Sequence, residues 1–172
     1  MTTNTITLYA ASIPVFKQML LSLSDVLTKA EAHAVAKKID PRVFLESRLS
    51  PDMLPLLRQV QIATDFARGT AARLADIDVP VAENNEASFA DLQTLISNTL
   101  TFLASVSADK IDGQENRAIV LRPGTPKEKH LNGQAYLLSY SLPQFFFHVT
   151  TTYALLRHNG VEIGKKDYMG AY

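Results

Sequence analysis

Tyr9, Ile13, Phe16, Leu20, Leu23, Leu27, Ala30 and Ala34 recur at alternating steps of four and three, which places them on one face of a helix. Lys17, Asp25 and Lys29 fall away from the centre of that stripe. Pro14 has no N–H to donate, so the helix starts either near Tyr9 with a kink or at Ser12 with Pro14 in its first turn. Residues 39–49 (IDPRVFLESRL) read as a connector anchored by Val43, Phe44 and Leu45, not as a full helix. Ser50-Pro51-Asp52 then predicts a second helix: Ser50 caps, Pro51 fits the first position and Asp52 favours the positive end of the dipole. It runs to about Ala75, with Met53, Leu56, Val60, Ala63, Ala67, Ala71 and Leu74 as its core face, and Arg58, Gln61, Asp65 and Arg68 on the opposite, solvated surface.

A polar loop around Pro80 (IDVPVAENNEAS) follows, and a third helix is predicted from the cap Ser88 to about Ala108, with Phe89, Leu92, Ile96, Thr99, Leu103 and Val106 inward. The chain then changes character. RAIVL, RPGTPKEK and HLNG place two short apolar pieces around a Pro/Gly turn, the pattern of a β-hairpin or irregular flap. Residues 134–140 lead in as a short helix or strand. Pro143 fits the first turn of a fourth helix and Asn159-Gly160 its stop. Four long amphipathic helices pack most simply as an all-α antiparallel four-helix bundle, one domain over residues 1–172, with the hairpin or flap before the last helix.

Composition narrows the function classes. Hydrophobic residues make up 47% and charged residues 20% of 172 positions, and 17 basic residues balance 17 acidic ones. No basic excess or stripe offers itself to a phosphate backbone, so nucleic acid is not an expected partner. Zero net charge leaves little repulsion against self-association, and a homodimer is expected. Cysteine is absent, which removes thiolate nucleophiles and sulfur-ligated zinc. No apolar run reaches the roughly 18 residues that span a bilayer, and MTTNTITLYAASIPVF has no basic-then-apolar leader pattern. A cytoplasmic protein without a membrane partner is the expectation.

Of the four histidines, His33, His130, His148 and His158, only His148 draws a functional reading. On the wheel of the fourth helix it falls among Phe145, Thr152 and Leu155, at the edge of the buried face. His158 is turned well away and about 15 Å along the axis, so one ion does not reach both. Two readings stand for His148: a core histidine satisfied by hydroxyls, amides or water, or a metal ligand or general base facing an interhelical pocket. Asp52 and Gln59 flank the apolar stripe of the second helix on one side, seven apart, and would approach His148 if those helices are neighbours. A helix-dipole role is the plainer one for Asp52. No phosphate-cradling glycine loop and no G-x-S-x-G elbow is present.

Three stretches together carry a resemblance: LYAASIPVF, RLSPDMLPLLRQVQIATDFARGTAARLA and PQFFFHVTTTYALLRHNGVEIGKKDYMG. The chain resembles a bacterial family of domains of unknown function in the DinB-like clan of four-helix-bundle metalloenzymes. The resemblance implies that fold, often a dimer, and in many members a divalent metal on three histidines: one from the second helix and two spaced four apart on a later one. His148 matches the first of that later pair. Thr152 stands where the second would be, and the second helix has no histidine. The metal set is thus incomplete, and His148 is its one matching ligand.

Three functions remain in view. The first is a cytoplasmic bundle binding a small molecule in an interhelical pocket near His148, with Thr152, Gln59 and Asp52 around it. The second is a divalent-metal-dependent hydrolase or thiol transferase. The third is a non-catalytic homodimeric interaction protein.

Overall fold

The long apolar stripes become four long helices in the computed structural model, which describes residues 6–172. The leader reading of the N-terminus rests partly on residues 1–5, which lie outside the described residues. Helix α1, Ile13–Lys37, begins after Ser12 with Pro14 in its first turn, where a missing N–H costs nothing. Its stripe from Ile13 to Ala34 is buried, as periodicity requires. Residues 39–49 contain a one-turn helix α2, Pro41–Leu45, capped by the Asp40 carboxylate on the Arg42 N–H. Phe44 and Leu45 anchor it, whereas Val43, expected to do the same, is more than half exposed.

Helix α3, Leu56–Ala75, starts later than Ser50-Pro51-Asp52 announces. Those three residues form a turn, with the Ser50 hydroxyl on the Asp52 carboxylate. Pro55 explains the delay: it disfavours helical backbone at Leu54, so no helix runs through from Ser50. From Leu56 onward the expected core face is buried. The opposite face is not uniformly solvated. Gln61 is fully buried and donates to the Glu86 carboxylate, and Arg68 is 6% exposed. The loop after α3 folds back over this flank and helix α4, Phe89–Ser105, packs beside it, which removes the water that periodicity had assumed.

Ser88 caps α4 by accepting from the Asp91 N–H at 3.1 Å. The helix ends at Ser105 and a single turn, α5, Ala108–Ile111, follows. The hairpin is present: β1, Ala118–Leu121, pairs antiparallel with β2, Lys129–Asn132, in the register Ala118↔Asn132. Ile119 and Leu121 point alternately inward and join the core.

The lead-in to the last helix is helical. Helix α6, Gly133–Ala135, passes into a π-helical segment, Tyr136–Ser141, and then α7, Leu142–His158, without a break. Pro143 lies in the first turn of α7, as expected, but helical backbone already runs into it from the π segment. Its ring would crowd the Ser139 carbonyl and it donates no N–H. Widening the preceding turn to i→i+5 bonding relieves both problems, and π segments of this kind recur at functional sites. Helix α7 stops at Asn159 and Gly160, the latter at φ 87°.

Around the bundle, α1 packs on α4, α4 on α3, α3 on α7 and α7 on α1, with α3 and α7 in the most extensive contact. The helices carrying Gln59 and His148 are thus neighbours, the condition on which an approach of the two residues depended. A last turn, α8, Lys165–Met169, folds back on α1. Ser22 Oγ donates to the Asp167 and Tyr168 carbonyls, Gln18 Nε2 to that of Met169, and Lys29 pairs with the Asp167 carboxylate. Gly170 follows at φ 63° and ψ −158°, backbone open essentially to glycine, and a β-carbon there would stand 3.1 Å from that of Ser22. No described helix is long and apolar enough to cross a membrane.

Candidate functional site

His148 lies on the flank of α7 that faces α3 and is 8% exposed. Its Nδ1 is 2.7 Å from Gln59 Oε1, and Gln59 Nε2 donates to the Leu54 carbonyl at 2.9 Å. The second contact settles the first. A main-chain carbonyl only accepts, so it holds the NH2 end of the Gln59 amide and turns the oxygen toward His148. Nδ1 must then carry the proton. The other ring nitrogen, Nε2, keeps a free lone pair, bonds to no described residue and retains contact with solvent.

Two aromatic rings meet the imidazole, and a third backs one of them. Phe66 stacks on it with centroids 6.0 Å apart and planes at 18°, Phe147 meets it edge-on at 5.2 Å, and Tyr140 packs against Phe66 at 5.9 Å. Burial among these groups disfavours the imidazolium and lowers the His148 pKa from 6.5 to about 4. The ring is therefore neutral at neutral pH, an acceptor at Nε2 and a donor at Nδ1.

This state has a measurable signature. The unfolded chain takes up the His148 proton near pH 6.5 and the folded chain only near pH 4, so the unfolded state holds more protons between those values. Stability should rise as pH climbs from about 4 to 6.5 and lose this dependence above. The urea midpoint of the native protein is expected to fall more steeply on acidification across that window than that of His148→Gln. Parallel curves for the two proteins would refute the buried, neutral histidine. Imidazole nitrogen NMR at pH 7 should in addition show the proton on Nδ1.

The other residues singled out by sequence fare differently. Thr152 is fully buried one turn beyond His148, but its hydroxyl donates to the His148 carbonyl at 3.0 Å and makes no bond to the ring. Asp52 is exposed in the turn before α3, bonded to Ser50, and takes no part in the His148–Gln59 pair. Its carboxyl is held below the usual range by the Ser50 hydroxyl. His158 is exposed, and His130 pairs with Glu128 at 2.6 Å on the hairpin. Phe66 escaped the sequence reading although it stands seven residues from Gln59, two turns on and so on the same face. Beside this wall opens a cleft of about 200 Å³ lined by Phe66, Tyr140, Tyr136, Arg73 and Arg122. Tyr136 and Tyr140 enter it from the π segment, and Arg73 Nη1 donates to the Tyr136 hydroxyl at 3.2 Å.

The side chains do not fit a resident divalent metal. Among the described residues no three His, Asp or Glu side chains converge as ligands, and the first five residues, Met-Thr-Thr-Asn-Thr, include none of these types. The two oxygens that the sequence sets beside His148 are already engaged: Gln59 Oε1 by the Nδ1 proton and Thr152 Oγ1 by the main chain. A divalent ion would find one imidazole nitrogen and neutral, occupied oxygens.

Comparison with known proteins agrees with the architecture. A crystal structure of a DinB family member protein from Shewanella denitrificans superimposes with a TM-score of 0.90 at 40% sequence identity, over 96% of this chain and 93% of that one. No curated protein matches. The family model for the domain of unknown function DUF1993 matches residues 8–169. An all-α DinB-like bundle with a two-stranded hairpin ahead of its last long helix is thus the shared fold, and the chain belongs to the DUF1993 family.

Proposed function

We propose that the protein binds a small molecule at the interface of α3 and α7, with His148 Nε2 accepting a hydrogen bond from it and the Phe66–Tyr140 wall packing its apolar body. The observation that carries this reading is the relay from His148 through Gln59 to the Leu54 carbonyl. A histidine needed only to fill the core would gain nothing from having one nitrogen fixed as donor and the other left as a bare acceptor. Fixing the tautomer in advance removes an ordering cost from binding, as preorganised sites do. The adjoining cleft, about 200 Å³ and lined by Phe66 and Tyr140 but not by His148 itself, has room for one ring and a few polar atoms.

The test is a fragment screen with single-ring phenols and primary amides, read on the His148 Nε2 resonance. A true ligand donates to Nε2 and moves that signal away from the position of a free imine-type nitrogen. Gln59→Leu, which frees the tautomer, should weaken the same fragment by about tenfold, the effect of one buried hydrogen bond. Fragments that bind without moving Nε2, or that ignore Gln59→Leu, would remove His148 from the site.

A further inference from the structure

A larger cleft, of about 520 Å³, lies on the opposite flank of α3 between α4 and the loop that precedes it. It shares no lining residue with the cleft beside Phe66. Its size is that of an ordinary small-molecule site. Arg68 lines it from α3, and this arginine is unusual: the residue is 6% exposed, yet its guanidinium makes one hydrogen bond among the described residues, from Nη2 to the Asp65 carboxylate. Nε is buried without any partner. A guanidinium has five N–H donors, and the Nε–H, cut off from water, is costly to leave unmatched unless something else takes it.

The rest of the lining limits what that something is. Glu83 and Glu86 from the loop and Asp91 from the first turn of α4 face the same space, so three carboxylates stand against one arginine. Hydrogen bonds from the Ala87 N–H and the Ser88 side chain hold the Asp91 carboxyl below the usual range, so it stays ionised. A simple anion drawn to Arg68 would be repelled by the three acids. A simple cation would leave the buried Arg68 Nε–H unmatched. Leu95 and Phe102, one helical face of α4, supply an apolar floor. The charges are complementary to a molecule carrying an anionic and a cationic end together with an apolar body.

We propose that this cleft binds a free zwitterionic amino acid with an apolar side chain, its carboxylate on the Arg68 guanidinium, its ammonium among Glu83, Glu86 and Asp91, and its side chain on Leu95 and Phe102. A planar, multidentate guanidinium matches a carboxylate better than an ammonium does, which accounts for arginine at this buried position.

Three probes of one shape separate the contributions. L-Phenylalanine has both charges, 3-phenylpropanoate lacks the ammonium and 2-phenylethylamine lacks the carboxylate. Titrated into the full chain and followed on the amide resonances of Leu95 and Phe102, L-phenylalanine should give saturable shifts. Each single-charge analogue should bind about tenfold more weakly or worse. Glu83 is exposed, so Glu83→Gln leaves the fold intact and should weaken L-phenylalanine about threefold while leaving 3-phenylpropanoate no weaker. Arg68→Lys should abolish the saturable shifts; if it fails to fold, Glu83→Gln and the analogue series decide alone. Equal affinity for 3-phenylpropanoate and L-phenylalanine would overturn the proposal in favour of a plain anion site. Equal affinity for 2-phenylethylamine would overturn it in favour of a plain acidic one, and the absence of saturable shifts with all three would remove the site altogether.

Discussion

Replacing Gly133 by alanine is expected to destabilise the protein by about 3 kcal/mol, the upper part of the range for forcing an extra methyl into filled space. A β-carbon at this position would stand 2.1 Å from the Gln114 carbonyl oxygen and 3.1 Å from its carbon, both main-chain atoms that no rotamer change moves aside. The segment around Gln114 is itself fixed, since the Glu115 carbonyl accepts from the Gln134 N–H at 3.0 Å. One of two junctions must therefore give: the turn that enters β1 or the start of the helical run that carries the π segment. For a chain of this length the cost corresponds to a fall in melting temperature of roughly 6–12 °C. Thermal unfolding of Gly133→Ala against the native protein measures it. A shift within about 2 °C would mean that the two backbones separate freely, and that the hairpin is not seated as described.

The second large effect belongs to Phe145. Its side chain is fully buried and meets Phe16 of α1 edge-to-face, centroids 4.8 Å apart and planes at 84°, with Phe146 at 5.7 Å on its other side. Phe145→Ala should cost about 3–5 kcal/mol, from lost burial and an unfilled cavity. Its neighbour Phe147 is 52% exposed, and Phe147→Ala should change stability by no more than about 0.5–1 kcal/mol. Urea denaturation of both variants, one chemistry at two positions, tests whether α7 is rotated as described. Similar losses for the two would contradict the placement of His148 as well, because all three lie on the same helix.

The contrast between those phenylalanines shows what a sequence discloses and what it withholds. Period 3.6 places Phe145 inward because it has companions at Val149, Thr152 and Leu156, and the same logic recovers the stripes of α1, α3 and α4. It fails on the outer flank of α3. Gln61 and Arg68 are spaced like a wetted face, but the loop that returns from α3 covers them, and a loop has no period to read. It fails again at the start of α3, where Ser50-Pro51-Asp52 is a sound cap followed too closely by Pro55. Pro143 marks the first turn of α7 correctly, but nothing in its spacing announces the π segment that runs into it. At the candidate site, His148 and Gln59 are legible as polar positions beside apolar stripes. Their hydrogen bond joins residues 89 apart in the chain, and only the packing of α3 on α7 brings it about. Asp52 drops out for the same reason that the helix starts late.

The docking of α8 on α1 bears on how the molecule is made. Ser22 reaches main-chain carbonyls 145 and 146 residues further on, and Gln18 one 151 residues further on. These are among the longest sequence separations a chain of 172 residues allows. Helix α1 thus leaves the ribosome long before the turn that covers it. Contacts of such span are slow to close, and until they do the Ser22 face of α1 is open to other nascent chains. A chain cut between α7 and α8 would keep its long helices and leave that face uncovered.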